Sequence, residues 1–319
     1  MLLLDQYIRA FKKLKRAHNY GGAPHKPILL LAILEGVFRQ EIQSEKISIT
    51  PELILCFKEY WNKMVRTPHH MNFALPFFHL NTEGFWTLVC KPGYSIPLTS
   101  SKSIKSLKAL NEALLWAEID KTLFMLMQNR ETNRALQGAL LNQYFPKSPH
   151  IHIKYGDFHA LEDAILHETH DKYSSNLKNT LQDMRPEQIE EELFVRGSLF
   201  KREIPKQYNY SCAITRSRIV TSNQVQMVDA CHIVPFSQSN DDTIRNGISL
   251  SPTMHRAFDR GLITLSNDYK VMVSNLVQEE SEPWFLINYQ HKPILLPTNS
   301  AYRPAIENIT WHRENVFLR

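Results

Sequence analysis

With 319 residues and 43% hydrophobic side chains, the chain is long enough for two packed domains and too apolar to be disordered or fibrous. Its four cysteines, Cys56, Cys90, Cys212 and Cys231, form no CxxC pair, which excludes a disulfide scaffold and a four-cysteine zinc ribbon and fits a reducing cytoplasm. The net charge of +5 is uneven: residues 1–150 carry 19 Lys and Arg against 11 Asp and Glu, and the remainder 18 against 21. A basic half gathers polyanions, nucleic acid above all, although a solvated basic face without a partner has the same composition.

In chain order, Leu4, Ile8, Phe11 and Leu14 recur at helical spacing and predict an amphipathic helix over the first 17 residues. No small-residue cleavage site follows the opening leucines, so a signal peptide is not expected. After the turn Tyr20-Gly21-Gly22-Ala23-Pro24, residues His25 to Phe38 read as a buried helix with Pro27 in its first turn. The apolar run Ile28–Leu34 inside it is far shorter than the roughly 20 residues a membrane span needs. Thr50-Pro51-Glu52 marks another helix start, with Leu53, Phe57, Tyr60 and Trp61 as its apolar stripe. A His- and Pro-rich loop from Arg66 then leads to a strand over Phe85–Cys90, and helical patterns resume between Ile104 and Phe145. Asp157 to Glu192 is acidic and helical in pattern, with Glu190, Glu191 and Glu192 read as a solvated face of a connector between two domains. Beyond Phe194 the texture becomes short β-rich segments, beginning with VRGSLFKREI and ending in a hairpin turned at Asn267-Asp268.

Residues 229–266 carry the chemistry. A strand ends in His232, Asn246-Gly247 follows fourteen residues on, and His255 stands nine residues later in the first turn of a helix opened by Ser251-Pro252. The elements His232-Ile233-Val234-Pro235, Asn246-Gly247-Ile248-Ser249-Leu250 and His255-Arg256-Ala257-Phe258-Asp259-Arg260-Gly261-Leu262 resemble the ββα-metal motif of HNH endonucleases, with Cys212-Ala213-Ile214-Thr215 where such domains open. The resemblance implies three catalytic positions: His232 as the general base that activates water, Asn246 holding the imidazole of His232 or positioning the loop, and His255 as a ligand of one divalent cation per site, Mg²⁺ or Mn²⁺. Many HNH nucleases carry an acid or histidine immediately before the base. Here Cys231 stands there as a small filler, and Asp229, three residues before the base, is the alternative ligand, although strand alternation puts it on the face opposite His232. Asp259 is expected to be a structural acid at the helix–strand turn.

In the basic half, APHKPILLLAIL (residues 23–34) and ALPFFHLNTEGFW (residues 74–86), with LLNQYFP (residues 140–146), resemble the sulfur-binding domain of type IV restriction enzymes that act on phosphorothioate-modified DNA. The resemblance implies that His25 and Lys26 hold the modified phosphate, while Leu75, Pro76 and Phe77 beside His79 form an apolar socket for sulfur, which is larger and less hydrated than oxygen. The expected architecture is α+β: a mostly helical DNA-reading domain (1–150), a helical connector (151–195) and a C-terminal HNH nuclease domain (196–319). The expected partner is double-stranded, phosphorothioate-modified DNA in the cytoplasm, with no membrane, and a homodimer is compatible with cutting both strands. Two other readings stay open: an HNH nuclease for another mark or a plain sequence, with a flipped base stacked on Phe73, Phe77 and Phe78, or a DNA-binding protein whose nuclease has decayed.

Overall fold

The computed structural model describes residues 2–99, 103–104, 106–147, 153–154, 156–221, 225–280 and 286–319; the expected domain boundary at 150/151 lies outside them. The chain divides into two compact units, Met1–His159 with Met184–Val195, and Ala160–Asp183 with Arg196–Arg319. The stretch expected as a connector therefore contributes residues to both. No helix among the described residues is long and apolar enough to cross a membrane.

The first unit is mostly helical. Its elements are α1 (Leu2–Lys12), α2 (His25–Phe38), β1 (Lys46–Ile47), α3 (Pro51–Met64), α4 (Ala74–His79), β2 (Trp86–Cys90), α5 (Leu107–Ala113), β3 (Leu114–Ile119), α6 (Lys121–Gln128) and α7 (Arg130–Tyr144). Helix α2 is apolar all round, and such a helix must lie inside. Ile28 to Leu34 are essentially without exposure, and α3, α4, α6 and α7 pack around them. Thr50 caps α3 by accepting from the Leu53 amide at 3.3 Å, as its Thr-Pro-Glu start predicts. The three strands pair antiparallel in the order β1-β3-β2, with Trp86 opposite Ile119.

Three expectations are corrected here. Helix α1 stops at Lys12 rather than residue 17, because the Leu14 amide donates to Tyr144 Oη and the Lys15 amide to Glu83 Oε1 instead of to helix carbonyls. The LPFF stretch lies in helix α4, whose start is held by Asn72 accepting from the Leu75 amide at 2.9 Å. The helical patterns after Ile104 are interrupted by strand β3, which begins directly where α5 ends.

The second unit carries α8 (Gly156–His167) from Ala160 onward, α9 (His170–Gln182), the end of α10 (Pro186–Gln207), β4 (Asp229–His232), α11 (Phe236–Ser239), β5 (Gly247–Leu250), α12 (Pro252–Asp259), β6 (Ile263–Leu265), β7 (Val271–Val273) and α13 (Ile306–Asn315). VRGSLFKREI, expected to be β-rich, is helical within α10. Val195, Leu199, Phe200, Ile204 and Tyr208 are buried at helical spacing, and that periodicity overrides the β-branched composition. Strands β4 and β5 form a two-stranded antiparallel ribbon with Asp229 opposite Leu250 and His232 opposite Gly247, and α12 packs on it. Strands β6 and β7 form the expected hairpin about Asn267-Asp268. Gly247 is closely packed: a Cβ there would stand 2.0 Å from Ile204 Cδ1 of α10, so something would have to shift.

The acids Glu190–Glu192 are not a solvated face. Glu190 accepts from the amides of Leu107 and Lys108 at the start of α5, Glu191 from the Phe73 amide at the start of α4 (2.6 Å), and Glu192 pairs with Lys58 of α3 at 3.1 Å. Acids placed on helix N-termini complete donors that the helix itself leaves unpaired.

Candidate functional site

The β4–β5 ribbon delivers His232 at the end of its first strand, half-buried, with its Nε2 2.9 Å from Asp242 Oδ1. Phe200 of α10 lies parallel to the imidazole, ring centroids 3.9 Å apart at 4°. Asn246 is wholly buried. Its side chain makes two hydrogen bonds with the backbone of Val234, accepting from the amide and donating to the carbonyl, both at 2.9 Å, and a third to the Asp241 carbonyl at 3.0 Å. Of the two roles left open for Asn246, this geometry is that of loop positioning. The group that meets the imidazole is Asp242.

Helix α12 starts at Ser251-Pro252, and the His255 amide donates to the Ser251 carbonyl at 2.8 Å. Its ring stands between two acids, Nδ1 3.2 Å from Asp229 Oδ2 and Nε2 3.4 Å from Asp259 Oδ2. Asp229 reaches His255 despite the strand alternation, because α12 packs across β4. Asp259, expected to tie down the turn, directs its carboxylate to His255 and to the Cys231 thiol instead. Ligand atoms of Cys231, His255 and Asp259 lie within 4.8 Å of one another. Burial, then the charge of Asp259, pushes the Cys231 thiol well up, so it acts as a donor to that acid. The donors that fit a hard or borderline divalent cation are the carboxylates of Asp229 and Asp259 and the imidazole of His255. Asp242 and Phe200 were missed in the sequence. The signal for the first is the acid pair Asp241-Asp242 inside the loop between the histidine and the asparagine; the second is visible only once α10 is recognised as a helix.

In the first unit, α2, α4 and the segment after α1 enclose a cavity of about 660 Å³. Leu75, Pro76 and His79 of α4 line one part of it, and Lys15, Arg16 and Lys26 bring cationic side chains to the rest. Of the six residues expected to bind the modified phosphate, Phe77 is not there. It is fully buried against Phe73 and Trp86, because it follows Pro76 on the inward side of α4. His25 lines the cavity without a charge at neutral pH: burial, then the neighbouring His69, pushes it down to about 4, and its Nε2 donates to the His70 carbonyl at 2.8 Å. Lys26 is buried and paired with Glu83, with Thr82 Oγ1 at 3.0 Å. Lys15 and Arg16 line the same cavity beside it. Lys15 donates to the Thr82 carbonyl at 3.1 Å, and Arg16 stacks on Tyr144 at 4.2 Å while donating to the Gly22 and Ala23 carbonyls. His79 meets Ser103 at 3.0 Å, and burial, then the charge of Lys26, holds its ring below the ordinary histidine range.

Comparison with known proteins gives one family match and several partial structural likenesses. The family model for HNH endonuclease matches residues 212–266. No curated protein matches the sequence. Among solved structures, the "Modification dependent TagI restriction endonuclease" is 17% identical with a TM-score of 0.29, over 38% of this chain, and the chain spans 39% of that protein. The "Sulfur binding domain of ScoMcrA complexed with phosphorothioated DNA" is 18% identical with a TM-score of 0.37, over 45% of this chain and 90% of that one. The "Type IV phosphorothioation-dependent restriction endonuclease ScoMcrA" is 10% identical with a TM-score of 0.35, over 79% of this chain and 94% of that one. The family match falls on the segment that holds His232, Asn246 and His255: the chain carries an HNH endonuclease domain there.

Proposed function

We propose that the chain is a modification-dependent DNA endonuclease that reads a phosphorothioate with residues 1–150 and hydrolyses nearby phosphodiester bonds with residues 196–319. The observation that carries the reading is the cavity in which the apolar Leu75 and Pro76 share walls with the cationic Lys15, Arg16 and Lys26. An ordinary phosphate oxygen would lose hydration against such an apolar wall, whereas sulfur loses little and the anionic group keeps its cations. The flipped-base alternative is disfavoured, since two of the three aromatics it would use, Phe73 and Phe77, are fully buried and meet core rings edge-on or at a tilt.

In the nuclease site, His232 takes a proton from water at Nδ1, the hydroxide attacks phosphorus, and one bridging P–O bond breaks, its leaving oxygen taking up a proton from solvent. Asp229, His255 and Asp259 are the residues that would hold a divalent cation, Mn²⁺ or Mg²⁺. When bound, that cation supplies charge beside the phosphate in the transition state. The reading predicts that a duplex with one phosphorothioate shifts in a gel at lower protein concentration than the same duplex without it. Pro76→Ser or Leu75→Ser should narrow that gap by raising the concentration needed for the modified duplex. Equal affinity of the unaltered protein for both duplexes would refute the sulfur-reading role.

A further inference from the structure

The imidazole of His232 is held on two sides by residues outside the HNH triad. On one side is Asp242, its side chain only 3% exposed and its Oδ1 2.9 Å from Nε2. A carboxylate oxygen accepts, so the ring proton sits on Nε2 and the lone pair on Nδ1, the atom a base needs free. On the other side, Phe200 lies flat against the ring, and Phe236 meets it at a tilt with centroids 6.2 Å apart. Asp242 is in turn fixed by its loop. Asp241 accepts from the Thr243 amide at 2.8 Å, its other carboxylate oxygen lies 3.2 Å from His170 Nδ1, and its carbonyl accepts from Asn246 at 3.0 Å. The buried asparagine of the motif thus acts on the base at one remove, by setting the loop that carries the acid.

We infer that Asp242 and Phe200 are positioning residues of the nuclease. Asp242 selects the Nε2–H tautomer of His232, and Phe200 fixes the plane in which Nδ1 is presented. This rests on the reading of His232 as the general base. The arrangement has the logic of base and orienting carboxylate found in hydrolytic triads, where loss of the carboxylate leaves the geometry but misplaces the proton.

The test uses the full chain, a phosphorothioate-containing plasmid and Mn²⁺, with four proteins: unaltered, Asp242→Asn, Phe200→Leu and His232→Ala. Single-turnover cleavage and DNA affinity are measured separately, together with long-range ¹⁵N–¹H spectra of the histidine rings, in which His232→Ala identifies the ring in question. Expected are an Nε2–H tautomer in the unaltered protein, its loss in Asp242→Asn, and cleavage slowed about 100-fold or more at unchanged affinity. Phe200→Leu should slow cleavage about 10-fold at unchanged affinity and an intact melting transition. An Nδ1–H tautomer in the unaltered protein overturns the inference without any variant having to fold. So does Asp242→Asn cutting at the unaltered rate while His232→Ala is inactive, which leaves the base assignment standing. If His232→Ala still cuts, the base reading itself has failed.

Discussion

Glu191 is buried and accepts from the Phe73 amide at the start of α4, the helix that walls the cavity with Leu75 and Pro76. Burial pushes its carboxyl up to about 7, against the bond from Phe73, with Glu190 reinforcing the rise and Lys58 opposing it. A carboxyl raised in the folded state binds a proton there that the unfolded chain has already released. Stability from this group is therefore present below about pH 4.5 and is lost as pH rises through about 7. The loss is on the order of 3 kcal/mol by linkage. Glu191→Gln keeps an acceptor for the Phe73 amide and removes the titration, so the fall in melting temperature between pH 5.5 and pH 8 should be smaller in the variant; an unchanged fall would assign the dependence to another group.

Among elements, the ones legible in the sequence were those whose ends carry their own chemistry. Helix α2 runs from His25 to Phe38 as predicted, because its apolar run begins at a Pro in the first turn, and α3 starts at Thr50-Pro51 because the cap residue is there to be read. The HNH segment was legible because its motif residues and their spacing lie in one short stretch, on which the family match falls. What was not legible depended on partners remote in the chain. Helix α4 takes its N-terminal acceptor from Glu191, β3 is a strand because β1 and β2 flank it, and α10 is a helix because its buried stripe meets a glycine. That last contact gives a prediction at this scale. A Cβ on Gly247 would meet Ile204 at 2.0 Å and the Phe200 ring at 2.9 Å, so Gly247→Ala must push α10 away from β5. Overpacking of this kind typically costs about 1–3 kcal/mol. Because Phe200 is also the ring stacked on His232, cleavage should fall in the same variant by more than DNA affinity does. A melting temperature equal to that of the unaltered protein would mean that α10 gives way without cost.

For the whole molecule, the charge balance and the two compact units point to a division of labour. The excess of Lys and Arg lies entirely in residues 1–150, while the nuclease residues lie in a half with more acids than bases. DNA affinity should therefore be salt-dependent, and the dependence should reside in the first unit. Lys15 is exposed at the cavity mouth, so Lys15→Ala should weaken binding of modified and unmodified DNA alike and lower the slope of log affinity against log salt by about 1. Loss of discrimination without a change in slope would instead make Lys15 part of the sulfur socket.

If one chain couples a reader of a sulfur-substituted phosphate to an HNH nuclease, cleavage must depend on both parts at once, and a paired cleavage assay measures that dependence. One plasmid, prepared with and without phosphorothioate in its backbone, is incubated with limiting enzyme and Mn²⁺, with and without chelator. Linear product from the modified plasmid alone, abolished by chelator and by His232→Ala, is the predicted result. Equal cutting of both plasmids at limiting enzyme, or cutting that survives His232→Ala, would contradict it.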